Sequence, residues 1–364
     1  MTNARWFDRD LIFQPKPQVM KFAIGLISLL TLTSTVSAEE KEAFGKISKF
    51  AQVPATPGFP EGIAVDGNSI FVSGPARFGT AGTGASAIQV FNRKTGQLKQ
   101  TISVQGEALA LEHAVSNIAM GDDGDIFALS TQLGVIRFAK VGNNYVQHAF
   151  GDPLPDLPPL PGFFDFTPLP NDIVFDDLGF AYVTDSLQGT IFRYPPCGGQ
   201  PHVWFQSAQL MGGGFFPFGT NGIRLDPHRH WVYFACTTSA TNPNLGTIFR
   251  LPLVNHPVES QLEIVHEYVM GEAPDQLAFG EGGTLYVTLA FSNQISVLAR
   301  NGTEVRISSA PNDEVPMDAP AAIAFDSKTK SLMLANHALF SGLASHFAVL
   351  RVFVNDEGDE LEKP

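Results

Sequence analysis

Four oxygen-bearing residues, Glu61, Asn171, Asn221 and Asp275, each stand two positions ahead of the apolar residue that opens a short β-like run, in the contexts PEGIAVD, PNDIVFD, TNGIRLD and PDQLAFG. Two carboxylates and two amides in one place make an all-oxygen site for a hard cation. Calcium suits such a set, because it takes six to eight oxygen ligands and leaves positions for water or substrate. Taken singly, an Asn or Asp before a strand is a turn residue that satisfies backbone groups; recurrence at one structural position is what gives the set chemical meaning. Asp275 can double as ligand and general base. His113 in LEHAVSN and His337 in ANHAL are the other base candidates, although a lone His is more often structural than catalytic.

The elements that must position these residues come from a repeat. PNDIVFDDLGFAYVTDSLQG, from Pro170, reads as strand, turn, strand, and the pattern returns from Pro60, Val115, Thr220, Pro274 and Pro320. With the strand-opening Ile or Leu as register mark, the residue two before it is Glu61, Ser116, Asn171, Asn221, Asp275 and Ala321, at spacings of 55, 55, 50, 54 and 46. A period near fifty predicts four-stranded blades, hence an all-β six-bladed β-propeller. In the third blade, 190–194 and 202–206 are the outer strands. The sixth copy has only three strands, so 45–52 is predicted to pair with 347–354 and close the ring, leaving no sheet edge open. No long stretch has helical periodicity, and 108–114 supports at most two turns.

At 364 residues, 44% apolar and 16% charged, the chain can bury a sizeable core. A net charge of −13 without a basic cluster argues against nucleic acid and anionic membrane as partners, since both require a Lys/Arg face. Small molecules or proteins remain. The two cysteines, Cys197 and Cys236, are too few for a disulfide framework and fall at opposite ends of the repeat, so both are expected to be unpaired. Residues 20–38, MKFAIGLISLLTLTSTVSA, have the apolar run and small-residue end of a secretory signal, with 1–19 as an extension ahead of it. The apolar run is too short for a comfortable membrane span. Residues 39–354 then form the propeller, 355–364 an acidic flexible tail, and the product is a secreted protein free of the membrane once the signal is cleaved. Asn301-Gly302-Thr303 is a glycosylation sequon in a predicted turn.

In this topology the long irregular segments 73–86, 151–170, 209–220, 236–246 and 335–346 collect at one mouth, the face on which the register residues converge. Thirty Phe against six Tyr is an unusual balance. Phe78, Phe164, Phe166, Phe216 and Phe218 stand in these loops, with Phe163, Phe215, Phe291 and Phe340, and are read as an apolar wall for a hydrophobic small-molecule substrate.

The PEG, PND, TNG and PDQ series resembles the senescence-marker-protein/gluconolactonase family of six-bladed propellers, over essentially all of 39–354. The resemblance implies a catalytic divalent metal in the central channel, bound by a Glu, one or two Asn and an Asp, which fall on Glu61, Asn171, Asn221 and Asp275. Ser116 and Ala321 depart from the pattern where the family motif asks for no ligand. The chain also resembles a secreted fungal branch that contains hetero-Diels–Alder cyclases, which join a terpene alkene to a quinone methide in natural-product biosynthesis. An apolar wall suits that reaction, which needs positioning and carbonyl activation but no general base. The alternatives are a calcium-dependent lactonase acting on a hydrophobic lactone and a non-catalytic propeller that serves as a binding platform.

Overall fold

A computed structural model describes residues 42–77, 79–214, 217–241, 245–269 and 271–364. The segment 20–38 predicted as a secretory signal and the residues before it, together with Phe78, Phe215 and Phe216, lie outside the described residues. Six antiparallel four-stranded sheets form the ring that the spacing predicts, with innermost strands Ile63–Asp66, Val115–Met120, Pro170–Phe175, Thr220–Leu225, Pro274–Phe279 and Pro320–Asp326. Each innermost strand packs against the next, and the sixth against the first, around a central channel. Closure is made by Ile47–Gln52 on Ala348–Phe353, so one sheet combines the first and last strands of the ring and no blade has a missing edge. Among the described residues there is no α-helix, and 108–114 is turn and bend.

The blades adhere through apolar seams, and here the phenylalanines are spent. Phe127, Phe150 and Phe175 meet edge to face with centroids 4.9 and 5.0 Å from Phe127, between blades two and three. Tyr182, Trp204 and Phe234 fill the next seam, and Phe91, Met333 and Phe347 the one where the ring closes. Burying one such side chain contributes roughly 1.5–3 kcal/mol, so the Phe excess belongs chiefly to the seams rather than to the mouth.

Residues 355–364 do not fray. They run across the channel end opposite the mouth, where Asp359 N donates to Phe279 O (2.8 Å) and Glu281 N to Glu357 O (2.8 Å). Arg229 pairs with Asp359 (2.6 Å) and Glu362 (2.8 Å), Lys330 with Glu357 (3.0 Å) and Lys363 with Asp66 (2.6 Å). The acidic run is held because basic side chains from the turns of the inner strands stand opposite it. Both cysteines are unpaired, Cys197 exposed and Cys236 buried.

Candidate functional site

The site begins with a defect in the ladder. In blades three, four and five the pairing of the first two strands slips between Pro170 and Ile173, Thr220 and Ile223, and Pro274 and Leu277. A bulge breaks the strict alternation of side chains and re-aims one of them. Here the residues inside the bulges are Asn171, Asn221 and Asp275, and all three line one cavity with Glu61. Close approach between neighbouring strands makes this compatible with packing: a Cβ on Gly222 would lie 2.5 Å from Asp275 O and 2.7 Å from Gln276 Cα, so the residue after Asn221 must be glycine.

Hydroxyls at the ends of the second strands then tie blade to blade. Thr184 Oγ1 accepts from Asp172 N (3.1 Å) and donates to Asn221 O (2.6 Å). Thr237 Oγ1 accepts from Asn221 Nδ2 (2.8 Å) and donates to Pro274 O (2.9 Å), next to Asp275. The contact also orients the Asn221 amide, leaving Oδ1 buried with no donor. Below this layer Asp172 accepts from Asn117 Nδ2, Ile173 N, Ile223 N and Arg224 Nη1, the last at 2.6 Å, forming a buried polar belt across the channel.

Two carboxylates share the cavity. Burial, then the charge of Glu61, then that of Asp172 push the Asp275 carboxyl well above the ordinary carboxylate range. Glu61 Oε2 lies 2.8 Å from Nδ1 of His337 yet is buried without an aligned hydrogen bond. An orphaned amide oxygen, an unspent carboxylate oxygen and a carboxyl strained by its neighbour's charge are what a hard cation would relieve, and the all-oxygen donor set fits calcium. Among the described residues no three His, Cys, Asp or Glu side chains group as a metal cluster; the set reaches four oxygen donors only with its two amides.

The remaining predicted residues separate. His337 lines the cavity. His113 does not: it is fully buried, with Nδ1 2.9 Å from Leu111 O and Nε2 3.0 Å from Gly84 O, so both ring nitrogens hold a loop and neither reaches Glu61 or Asp275. Of the aromatic wall, Phe218 is at the cavity together with Phe291. Phe164, 82% exposed, and Phe166 stack edge to face 6.3 Å apart and line a separate recess beside Leu187 and Met211, because the proline-rich loop 152–169 folds outward over blade three. Arg77 lines the cavity and was missed in the sequence; it makes one long hydrogen bond, Nη1 to Pro168 O at 3.4 Å. Its signal was its place directly after a second strand, in a loop facing the mouth. The cavity holds about 70 Å³, room for a cation and a few waters.

No family model and no curated protein matches the sequence. Solved structures do. Regucalcin from Agrobacterium tumefaciens, described as a calcium-binding protein, is similar at a TM-score of 0.58 and 13% identity, covering 84% of this chain and 92% of that one. A putative gluconolactonase is similar at 0.57 and 14% identity, covering 86% and 94%. Virginiamycin B lyase from Staphylococcus aureus, determined as a catalytically inactive variant with quinupristin, is similar at 0.54 and 16% identity, covering 85% and 99%. The likeness is one of fold, the six-bladed propeller.

Proposed function

We propose that the protein is a metal-dependent hydrolase that opens an ester or lactone at the mouth of the channel. The observation that carries this reading is the convergence of Glu61, Asn171, Asn221, Asp275 and His337 on one cavity. A divalent cation, with calcium the natural choice for these oxygens, would polarise the carbonyl and offset charge developing on its oxygen. His337, with Nδ1 2.8 Å from Glu61 Oε2, lines the same cavity and is the side chain best placed to receive a proton from attacking water. Arg77 offers guanidinium donors to the carboxylate released. Phe218, Phe291 and Leu339 present one apolar side to the substrate. Folds resembling a calcium-binding protein and a putative gluconolactonase support the same reading.

The cycloaddition suggested by an aromatic wall has less behind it. Phe164 and Phe166 sit in another recess, so two of the residues read as a stacking wall do not stand at this cavity. The test is a side-by-side incubation with apolar lactones and with a quinone-methide precursor plus a medium-ring alkene. Calcium-dependent ring opening without adduct is expected; adduct above background without ring opening overturns the proposal. Secretion and glycosylation are part of it: Asn301 is exposed in a hairpin turn, its Oδ1 accepting from Thr303 N (3.0 Å), and a mass decrease on deglycosylation of the secreted protein tests both.

A further inference from the structure

Below the polar belt the channel opens into a chamber of about 450 Å³, bounded underneath by residues 357–363. One position of the repeat, the residue directly after the register mark, lines it from all six blades: Ala64, Ala119, Val174, Arg224, Ala278 and Ala324. Five are small and apolar. The sixth is an arginine that is only 7% exposed. Nη1 of Arg224 donates to Asp172 Oδ2 (2.6 Å) and to Ile223 O (2.6 Å). A guanidinium has five N–H groups, and among the described residues none accepts from Nε or Nη2 of Arg224. Neither atom is among the buried side-chain atoms left without a partner, so both face the chamber, where water or a ligand can meet them.

We propose that this chamber is a second ligand site, for a small carboxylic acid with an apolar body: Arg224 takes the carboxylate and the alanine ring takes the body. The volume lies within the roughly 300–1,000 Å³ of small-molecule pockets. The free edge of a guanidinium matches a carboxylate with two parallel hydrogen bonds. A phosphate would bring a second charge beside the buried Asp172, whereas a carboxylate brings one. The other charges lining the chamber stand at its rim, Asp66, Arg93, Glu281 and Lys328, and in the segment that closes it, Glu357, Asp359, Glu360, Glu362 and Lys363; Lys363 pairs with Asp66, Arg93 with Asp326, Lys330 with Glu357, and Arg229 with Asp359 and Glu362. The belt of Asn117, Asp172 and Arg224 separates the chamber from the upper cavity, so the ligand enters from the underside, past residues 357–363.

The experiment is calorimetric titration of the full chain, in saturating calcium, with decanoate and with decan-1-ol. One decanoate per chain, bound at least tenfold more tightly than decanol, is expected. The double variant Asp172→Asn/Arg224→Met, which removes both charges together and so leaves neither buried alone, should bring decanoate down to the affinity of decanol. Ala324→Phe keeps the ion pair, fills the chamber and should abolish binding of both. Asp275→Asn, which alters only the upper site, should leave decanoate binding unchanged whether or not the hydrolase reading holds. Decanoate that binds no better than decanol, that fails to saturate, or that is lost in Asp275→Asn overturns the proposal.

Discussion

Replacing Asp275 with Asn separates the two states of the upper cavity. Without a cation, burial and the neighbouring charge of Glu61 hold the Asp275 carboxyl well above its ordinary range, so its charged form is disfavoured there. A neutral amide of the same shape relieves that repulsion, and the cation-free variant should melt within about 2 °C of the native protein. Calcium changes the comparison. At a free concentration one hundred times the dissociation constant, the native protein gains about 2.7 kcal/mol. At roughly 2 °C per kcal/mol, the low end for a chain of this length, that is a rise of about 5 °C. Removing one of two carboxylates is expected to weaken binding at least 100-fold, which leaves about 0.4 kcal/mol at the same calcium and a rise near 1 °C. The assay is a thermal melt of both proteins, with calcium and with chelator. A variant that keeps the 5 °C rise shows that Asp275 holds no cation, and one that melts far lower in chelator shows that the native carboxylate was ionised there and that the argument from Glu61 is wrong.

Burial alone would lower the His113 pKa, but the carbonyls of Leu111 and Gly84 and the charges of Glu107 and Glu112 outweigh it and the net shift is upward. Its stabilisation is therefore complete below the ordinary His value of about 6.5 and is lost as pH rises through the raised value. His113→Gln should accordingly cost most at acid pH and progressively less toward pH 9 in denaturant titrations, and a pH-independent difference would show that the ring is not charged. Gly222→Ala forces a Cβ to 2.5 Å from Asp275 O and should cost roughly 1–3 kcal/mol while weakening calcium binding. The same substitution at Gly282, whose Cβ would meet nothing and whose φ is not left-handed, checks that the effect is one of space. Phe218→Ala should raise KM for an apolar lactone, whereas Phe164→Ala, outside the cavity, should leave turnover unchanged.

The six-fold repeat made the strands and the ring closure legible, because each blade restates the same alternation and turn. The meeting of four oxygen-bearing residues at one cavity was legible for the same reason: a register defined on Ile or Leu puts Glu61, Asn171, Asn221 and Asp275 in line without knowledge of the bulges that aim them. What decided between the two histidines was tertiary. His113 and His337 look alike in sequence, and only the fold of loop 80–84 over His113 brings the Gly84 carbonyl to its ring, opposite the local one of Leu111. The phenylalanines were misplaced because composition reports burial but not its location; Phe127, Phe175 and Phe234 are spent between blades. Residues 355–364 read as an acidic tail until Arg229, more than one hundred residues earlier, was seen beside Asp359 and Glu362. Arg224 was passed over inside IRLD, since one charged residue in a strand reads as an outward face until six strands are placed around an axis.

Calcium-dependent hydrolysis at the upper cavity is tested most directly by measuring bound calcium and ring opening of an apolar lactone in one titration of the purified chain. One calcium per chain, with turnover rising in proportion to occupancy and both lost in Asp275→Asn, is the predicted result. Lactone hydrolysis that persists at zero occupancy, or full occupancy with no hydrolysis of any lactone in the panel, would contradict it.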